Sequence, residues 1–426
     1  MSEIAEPISG LAVEERGPAL LQPLRERDFR LLFSGETVSV VGDHFHFVAL
    51  AWLTLQLTGS GLALGTVLMT AAVPRAAFML LGGALSDRFS PRSLMLSSNA
   101  IRAVVMAIIS TLVLTGNAQL WQLYLLAGIF GIVDAFFYPA ISTIMPMLVA
   151  GRRLPAANAL IQGSQQLAGL IGPALAGLLV AAVQTGPAFA IDAASFTIAT
   201  LALLLIRGGR RAATTDAPAE AQSMLQTIGS GLRYAWSDPA IRTLVLLTAA
   251  LNFAFEGPVS VGLAWLANNR FDGGSAAFGF ILSAFGAGAL LGAILAGSVR
   301  RVPKLGAVVL GIGVVLGIGL GLIGTAPNVP VVLAIVAPMG ILIGFVNVQV
   351  IAWLQARVAD GMRGRVMSLV LLGSVGLAPV SLAATGVLLD SGAASLTFAL
   401  AGAICVAAAL AGFVWGLPAR MQAAAD

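Results

Sequence analysis

Residues 41–50 read VGDHFHFVAL and stand near the middle of a predominantly apolar run from Leu31 to Leu57. A helix of about 20 residues crosses the hydrocarbon core of a bilayer, so this run is long enough to span it. The same ten residues hold Asp43 and the chain's only two histidines, His44 and His46. A charged group at mid-membrane costs roughly 2.5–3.5 kcal/mol on insertion scales, so an acid kept there implies a partner or a task.

The rest of the chain says which solvent this stretch meets. Of 426 residues, 58% are hydrophobic and 10% charged, and the mean hydropathy is +0.95. Water-soluble domains do not have that balance, so the chain is an integral membrane protein. Its 49 glycines suit helices packed closely in lipid, where small residues let backbones approach. The lone cysteine, Cys405, excludes an intrachain disulfide and a thiolate metal site. Glu3, Glu6, Glu14, Glu15, Arg16, Arg25 and Arg27 fall in the first thirty residues, with no apolar core before a cleavage site. No secretory signal is expected, and the first span serves as the targeting signal.

Spans are predicted at 31–57, 62–84, 92–115, 120–148, 155–183, 187–206, 240–266, 275–298, 304–325, 329–355, 364–389 and 393–417. Between the sixth and seventh lie RGGRR, the polar tract TTDAPAEAQ and then SMLQTIGSGLRYAW, whose apolar positions recur at helical spacing. This reads as a linker with a short interfacial helix. The predicted organisation is a tail at 1–30, a six-helix bundle at 31–206, the linker at 207–239, a second six-helix bundle at 240–417 and a tail at 418–426. Twenty of the 23 lysines and arginines fall on one side of this arrangement; Arg75, Arg102 and Arg270 are the others. Basic residues of short loops stay cytoplasmic, so both termini are expected in the cytoplasm and the chain in the plasma (inner) membrane. The net charge of +4 then reflects a basic inner face, with no aromatic-interleaved groove for nucleic acid.

The loop after the second span reads GGALSDRFSPRSLML, residues 82–96. Its Gly83, Leu85, Asp87, Arg88 and Arg92 resemble the loop motif of the major facilitator superfamily, G-x-L-x-D-R-x-G-R-K/R. Ser90 and Pro91 stand where that family has glycine and a basic residue. A degenerate copy follows one half later, from Gly297 to Arg301. GLIGPALAG at 169–177 partly resembles the fifth-helix motif of the antiporter branches, with Gly172 and Pro173 at a kink where the halves meet. LRERDFRLLF, VPRAAFMLLGGALSDR, GIVDAFFYPA, FAIDAASF and RGRVMS are similar to the proton-driven drug-antiporter branch with macrolide-efflux and enterobactin-exporter relatives.

The resemblance implies an all-α integral membrane fold, twelve transmembrane helices arranged as two pseudo-symmetric six-helix bundles around a cavity lined by helices 1, 4, 7 and 10. It implies a conformational latch at Gly83, Asp87, Arg88 and Arg92, because an acid beside helix ends makes a charge-assisted contact in one state and loses it in another. It also implies a monomer that exports hydrophobic or amphiphilic small molecules, its partners being that lipophilic substrate and membrane lipid. The proton gradient drives it, and no cofactor is expected.

Four acids are read well inside spans: Asp43, Asp134, Asp192 and Glu256. At ~1.5 Å of rise per residue, Asp43 and Arg75 lie at similar depth and are expected to pair. Arg102 is left to hold Asp134 or Asp192. Counting from Arg30 and Arg242, which precede the first and seventh spans, places Asp43 and Glu256 at equivalent points of the two halves. Apart from Arg242, Lys304 and Arg365 at the cytoplasmic ends, no lysine or arginine falls within a C-terminal span, so Glu256 is expected to lack a cation, with Asn252 one turn back as its neutral partner. An unpaired carboxyl in low dielectric is suited to exchange a proton or meet a cationic substrate. Glu256 is thus the first candidate for proton coupling, joined by Asp134 and Asp43. Asp192 reads as a cap or packing partner. His46 shares the Asp43 face and reads as its modulator, and His44 as packing. The side chains of this cluster diverge around the helix, so no metal is expected.

Trp52, Phe136, Tyr138, Asn252, Phe253, Phe255, Phe345, Asn347 and Gln349 are the candidate substrate contacts. An apolar, aromatic cavity with isolated carboxyls suits amphiphilic and cationic compounds. Rival readings are a dedicated exporter of one metabolite, such as a siderophore or peptide, and a lysophospholipid flippase. A bulky anion would need Arg75 or Arg102 unpaired in the cavity. An enzyme built on Asp43 and His46 lacks a nucleophile with a matching base, and no P-loop is present for ATP-driven transport.

Overall fold

A computed structural model of the chain describes residues 19–86, 90–208, 232–299 and 302–422. Twelve helices there are long and apolar enough to cross a membrane. They are α1 (Arg27–Thr58), α2 (Gly61–Ser86), α3 (Pro91–Leu114), α4 (Leu120–Leu148), α5 (Leu154–Val183), α6 (Gly186–Leu205), α7 (Pro239–Asn269), α8 (Gly274–Ser298), α9 (Leu305–Ile323), α10 (Val329–Arg357), α11 (Gly364–Asp390) and α12 (Ala394–Val414). Each is helical because hydrocarbon offers no other partner to a backbone N–H. Asp87, Arg88, Arg300 and Arg301, and residues 223–231 of the predicted interfacial helix, lie outside the described residues.

Three spans are broken near prolines: α11 between Val375 and Ala378, just before Pro379, and α4 and α7 as follows. In α4 the helix stops at Asp134 and resumes at Phe137; the ring of Pro139 displaces the carbonyl four residues earlier, at Ala135. In α7, residues Pro258–Gly262 form a π-turn immediately after Glu256 and Gly257. Such turns mark places where a helix gives up regular bonding for another purpose.

Within the N-terminal half, α1 packs on α5 and α6, α3 on α6, and α2 on α4. The C-terminal half packs α8 on α10, α9 on α12, and α7 on α11 and α12. Two helix pairs dominate the contact between halves, α2 with α11 and α5 with α8. These are one contact made twice: the second helix of either half meets the fifth of the other. The same repetition appears at the face bearing the termini. Glu26, the residue before α1, is 2.5 Å from Arg153, which follows α4. Asp238, before α7, is 2.8 Å from Arg357 in the last turn of α10. Partial burial raises the Asp238 carboxyl, but hydrogen bonds from Arg357, Ala240 and Ile241 and the Arg357 charge outweigh it, leaving Asp238 below the usual range.

Candidate functional site

The centre of the N-terminal half begins with a close approach of two parallel helices. A Cβ at Gly131 of α4 would overlap the Ala71 carbonyl of α2, so only glycine lets the backbones touch there. One turn onward this contact brings Asp134 and Arg75 together, with Arg75 Nε 3.0 Å from Asp134 Oδ2. Arg102 of α3 takes the other oxygen at 3.2 Å and donates to Asn99 Oδ1 at 2.8 Å. Its guanidinium lies 4.4 Å from the Phe137 ring centre and 4.6 Å from that of Phe196. Arg102 is 3% exposed and Arg75 49%. One cation is therefore sealed under aromatic rings, while the other is about half exposed.

This corrects the expected pairing of Asp43 with Arg75. Rise per residue fixes depth but not the direction a side chain takes around the helix. Arg75 follows the α2–α4 contact to Asp134, and Arg102 chooses Asp134 over Asp192. Asp43 forms no hydrogen bond or ion pair among the described residues. His46 turns from Asp43 to α6, its Nδ1 3.7 Å from Asp192 Oδ2 and 2.9 Å from the Met106 sulfur. Asp192 is fully buried, with Ser195 Oγ 3.1 Å from its Oδ1. His44 packs on Gly172 of α5.

A fifth acid was absent from the sequence-based set. Glu36 of α1, 6% exposed, lines a small recess with Asn99, Met95 and Leu203. Its signal was available, since any glutamate within an apolar run carries the same insertion cost. Replacing Arg102 by Leu is expected to cost about 3–5 kcal/mol, because it leaves Asp134 short of a buried partner. Thermal unfolding in detergent measures this. The double change with Asp134→Leu is expected to recover most of the loss, since Arg75 can turn to cavity water.

In the C-terminal half the backbone of α7 is opened beside Glu256. Ser381 of α11 accepts from the Gly257 amide at 2.8 Å and donates to the Phe253 carbonyl at 2.5 Å. One hydroxyl thus bridges the carbonyl of residue 253 and the amide of residue 257. Glu256, half-buried, accepts one hydrogen bond, from Ser260 at 3.1 Å. The expected partner, Asn252, instead donates to the Thr248 carbonyl at 2.9 Å: its short side chain reaches its own helix one turn back. No salt bridge to Glu256 is found among the described residues.

Several other candidates have structural partners. Gln349 donates to the carbonyls of Ala296 at 3.0 Å and Val299 at 3.3 Å, which caps the end of α8. Arg92 of the expected latch does the same for α6, at 2.9 Å from both Leu203 and Leu204. Phe255 faces an enclosed apolar cavity inside the C-terminal half, with Phe285 and Phe398. Trp52 packs against Gly274 at the start of α8, and Phe345 lies where α10 crosses Gly292 of α8. Phe136 meets Phe78 edge to face at 6.1 Å. Phe253 is half-buried and Asn347 exposed. The Tyr138 side chain and the surroundings of Gly83 lie outside the described set.

The halves touch on the face opposite the termini. Asp390, at the end of α11, accepts from Ser60 Oγ at 2.5 Å, the Gly61 amide at 2.6 Å and the Leu62 amide at 3.2 Å. One carboxylate thereby caps the start of α2 across the two bundles. Across α5 and α8, Ala174 donates to Ser283 Oγ at 2.9 Å and Ser275 to the Gly177 carbonyl at 3.2 Å. Gly172 and Pro173 therefore sit within this seam. Asp390→Ala is expected to loosen it by about 1–3 kcal/mol. The check is maleimide labelling of Leu389→Cys, which should quicken; the native Cys405 is fully buried.

Comparison with known proteins agrees with this architecture. The family model for transmembrane secretion effectors matches residues 19–426. The multidrug efflux pump Tap of Mycolicibacterium fortuitum is 27% identical over 392 residues, covering 90% of this chain and 92% of that protein. Macrolide efflux protein A of Streptococcus pyogenes is 23% identical over 388 residues, covering 89% and 94%. Among solved structures, the peptide transporter POT superposes with a TM-score of 0.74 at 12% identity, over 93% of this chain and 95% of that one. With a family match over nearly its whole length and twelve spans in two six-helix halves, the chain belongs to the transmembrane secretion effector family of the major facilitator superfamily and is a transporter, not an enzyme.

Proposed function

We propose that this carrier exports lipophilic or amphiphilic small molecules against their gradient, using protons as the driving ion. The observation that carries the reading is Glu256, a carboxyl on an opened turn of α7 with one hydroxyl partner and no ion pair among the described residues. A carboxyl so placed can alternate between holding a proton and facing a cationic or polar cargo group. Efflux of drugs by Tap and of macrolides by its streptococcal relative supports export as the direction. The seam at α2–α11 and α5–α8 reads as the closed outer gate of an alternating-access cycle, with the cavity facing the cytoplasm and the termini on that side. The chain acts as a monomer in the plasma (inner) membrane. A dedicated exporter of a bulky anion is disfavoured, because Arg75 and Arg102 are both engaged by Asp134 and Arg102 is buried.

The test is transport into or out of liposomes containing the purified protein, with an imposed pH gradient and a panel of cationic, neutral and anionic lipophiles. Gradient-dependent movement of cationic or neutral compounds is expected. Movement of anions alone, or movement indifferent to the gradient, overturns the reading.

A further inference from the structure

Given the proton-driven reading above, on which this rests, we propose that Ser381 of α11 is a positioning residue: it holds the turn that carries Glu256 and passes the state of that carboxyl to the outer contact between the halves. Ser381 is 2% exposed. Its Oγ accepts from the Gly257 amide at 2.8 Å and donates to the Phe253 carbonyl at 2.5 Å. Those two groups are the ends of one helical turn, and Glu256 is the last residue between them. A hydroxyl buried this deep costs free energy unless its donor and an acceptor site are met, and α7 alone meets both. A Cβ at Gly257 would strike the Thr385 hydroxyl and the Ser381 carbonyl, so α7 lies directly on α11 at the residue after Glu256. Immediately beyond, the π-turn Pro258–Gly262 interrupts the regular bonding of α7. The turn at Glu256 is thus held from one side by its own helix and from the other by α11.

The α11 span is itself two rods. It breaks at Gly376 and Leu377, and the outer rod, Ala378–Asp390, is 13 residues long. One of its faces, bearing Ser381 and Thr385, meets α7. The face about 100° around, bearing Leu382, Gly386 and Asp390, meets α2. There a Cβ at Gly65 would overlap the Leu382 carbonyl, a Cβ at Gly386 would overlap the Gly61 carbonyl, and Asp390 accepts from the Gly61 and Leu62 amides. A rod packed backbone to backbone on two partners, and freed from its inner half by a break, moves as a unit. Nine residues separate Ser381 from Asp390, or ~13 Å of helix. When Glu256 takes up or releases its proton and the 253–257 turn shifts, Ser381 carries the displacement along the rod to the Asp390 cap. In an exporter driven by protons from outside, the proton-loaded form is the one that closes the outer contact.

Maleimide labelling of Leu389→Cys in the purified protein reads the outer end of the rod, where Leu389 is 1% exposed. Adding Glu256→Gln, which mimics the proton-loaded form, is expected to slow labelling at least about fivefold, the lower end of typical coupling between sites. In the Ser381→Ala background the same change is expected to leave the labelling rate where it was, and Ser381→Thr, which keeps the hydroxyl, restores the slowing. Thr385→Val is the control: it lies on the same face, its hydroxyl makes no hydrogen bond among the described residues, and the slowing should persist. Without the Ser381 hydroxyl the Phe253 carbonyl and Gly257 amide can bond each other, so Ser381→Ala should melt close to the parent; Ser381→Gly also lacks the hydroxyl and gives the same reading should the alanine variant not fold. Equal slowing with and without the hydroxyl overturns the role of Ser381. So does labelling that Glu256→Gln leaves unchanged while Ser381 is present. Transport in liposomes under a pH gradient reads the export function separately: gradient-driven export with labelling indifferent to Ser381 leaves that function standing and removes this link, and the loss of slowing in Ser381→Ala without gradient-driven export does the reverse.

Discussion

Glu256→Gln is expected to abolish pH-gradient-driven export, lowering the driven rate at least about 100-fold, to that of protein-free liposomes. Glutamine has the shape of a protonated glutamate, keeps an acceptor for the Ser260 hydroxyl and cannot release a proton. The variant is thus fixed in the proton-loaded form and cannot turn over as an antiporter. Glu256→Asp retains the titration and is expected to keep partial activity, reduced because the shorter side chain no longer reaches Ser260. Because the α7 backbone beside it is bridged by Ser381 and not by Glu256 itself, neither change should disturb the fold, and the melting temperature should stay within a degree or two. A Glu256→Gln carrier that exports at the parent's rate under the same gradient removes Glu256 from the coupling step.

How much of this site was legible from the residues alone depended on which physical signal each one left. Span number and the half-way break follow from hydropathy, because lipid forces any apolar run of sufficient length into a helix. The break in α4 after Asp134 was also written in the chain, as Pro139, though it was not read there. Pairing was not legible. Asp43 and Arg75 agree in depth, yet the glycine contact between Gly131 and Ala71 carries Arg75 to Asp134 instead. That contact depends on two helices coming together, which no single helix encodes. Facing was equally hidden. The few polar residues of α10 form no stripe along one face, so nothing in its sequence distinguishes Gln349, which caps α8, from a residue that faces the cavity. Phe255 and Asn252 were assigned to the cavity because α7 lines it, but a helix that lines a cavity shows it one face only. Glu36 carried as clear a signal as Asp43 and marks the part of the N-terminal half where sequence and structure together say more than either alone.

The seam between α5 and α8 carries the other large expected effect. Gly279 of α8 lies so close to α5 that a Cβ there would overlap the Pro173 carbonyl oxygen and press on Gly177. The clash is with backbone, which cannot rotate away as a side-chain end can. Pro173 adds a second feature: it lacks an N–H, and the next amide, that of Ala174, donates to Ser283 Oγ of α8. Gly279→Ala is therefore expected to oppose outer closure by about 1–3 kcal/mol, the usual cost of overpacking, which is roughly 5–150-fold in the ratio of closed to open. Labelling of Leu389→Cys should quicken by a similar factor, and gradient-driven export should fall in proportion as the inward-facing state is depleted. Gly321→Ala is the matched control, since nothing lies within 4 Å of a Cβ at that position of α9. It gains the same helix propensity with no contact to lose, so both readouts should match the parent. If Gly279→Ala also matches the parent in both, then the α5–α8 seam yields without cost and the outer gate is held by the Asp390 cap alone.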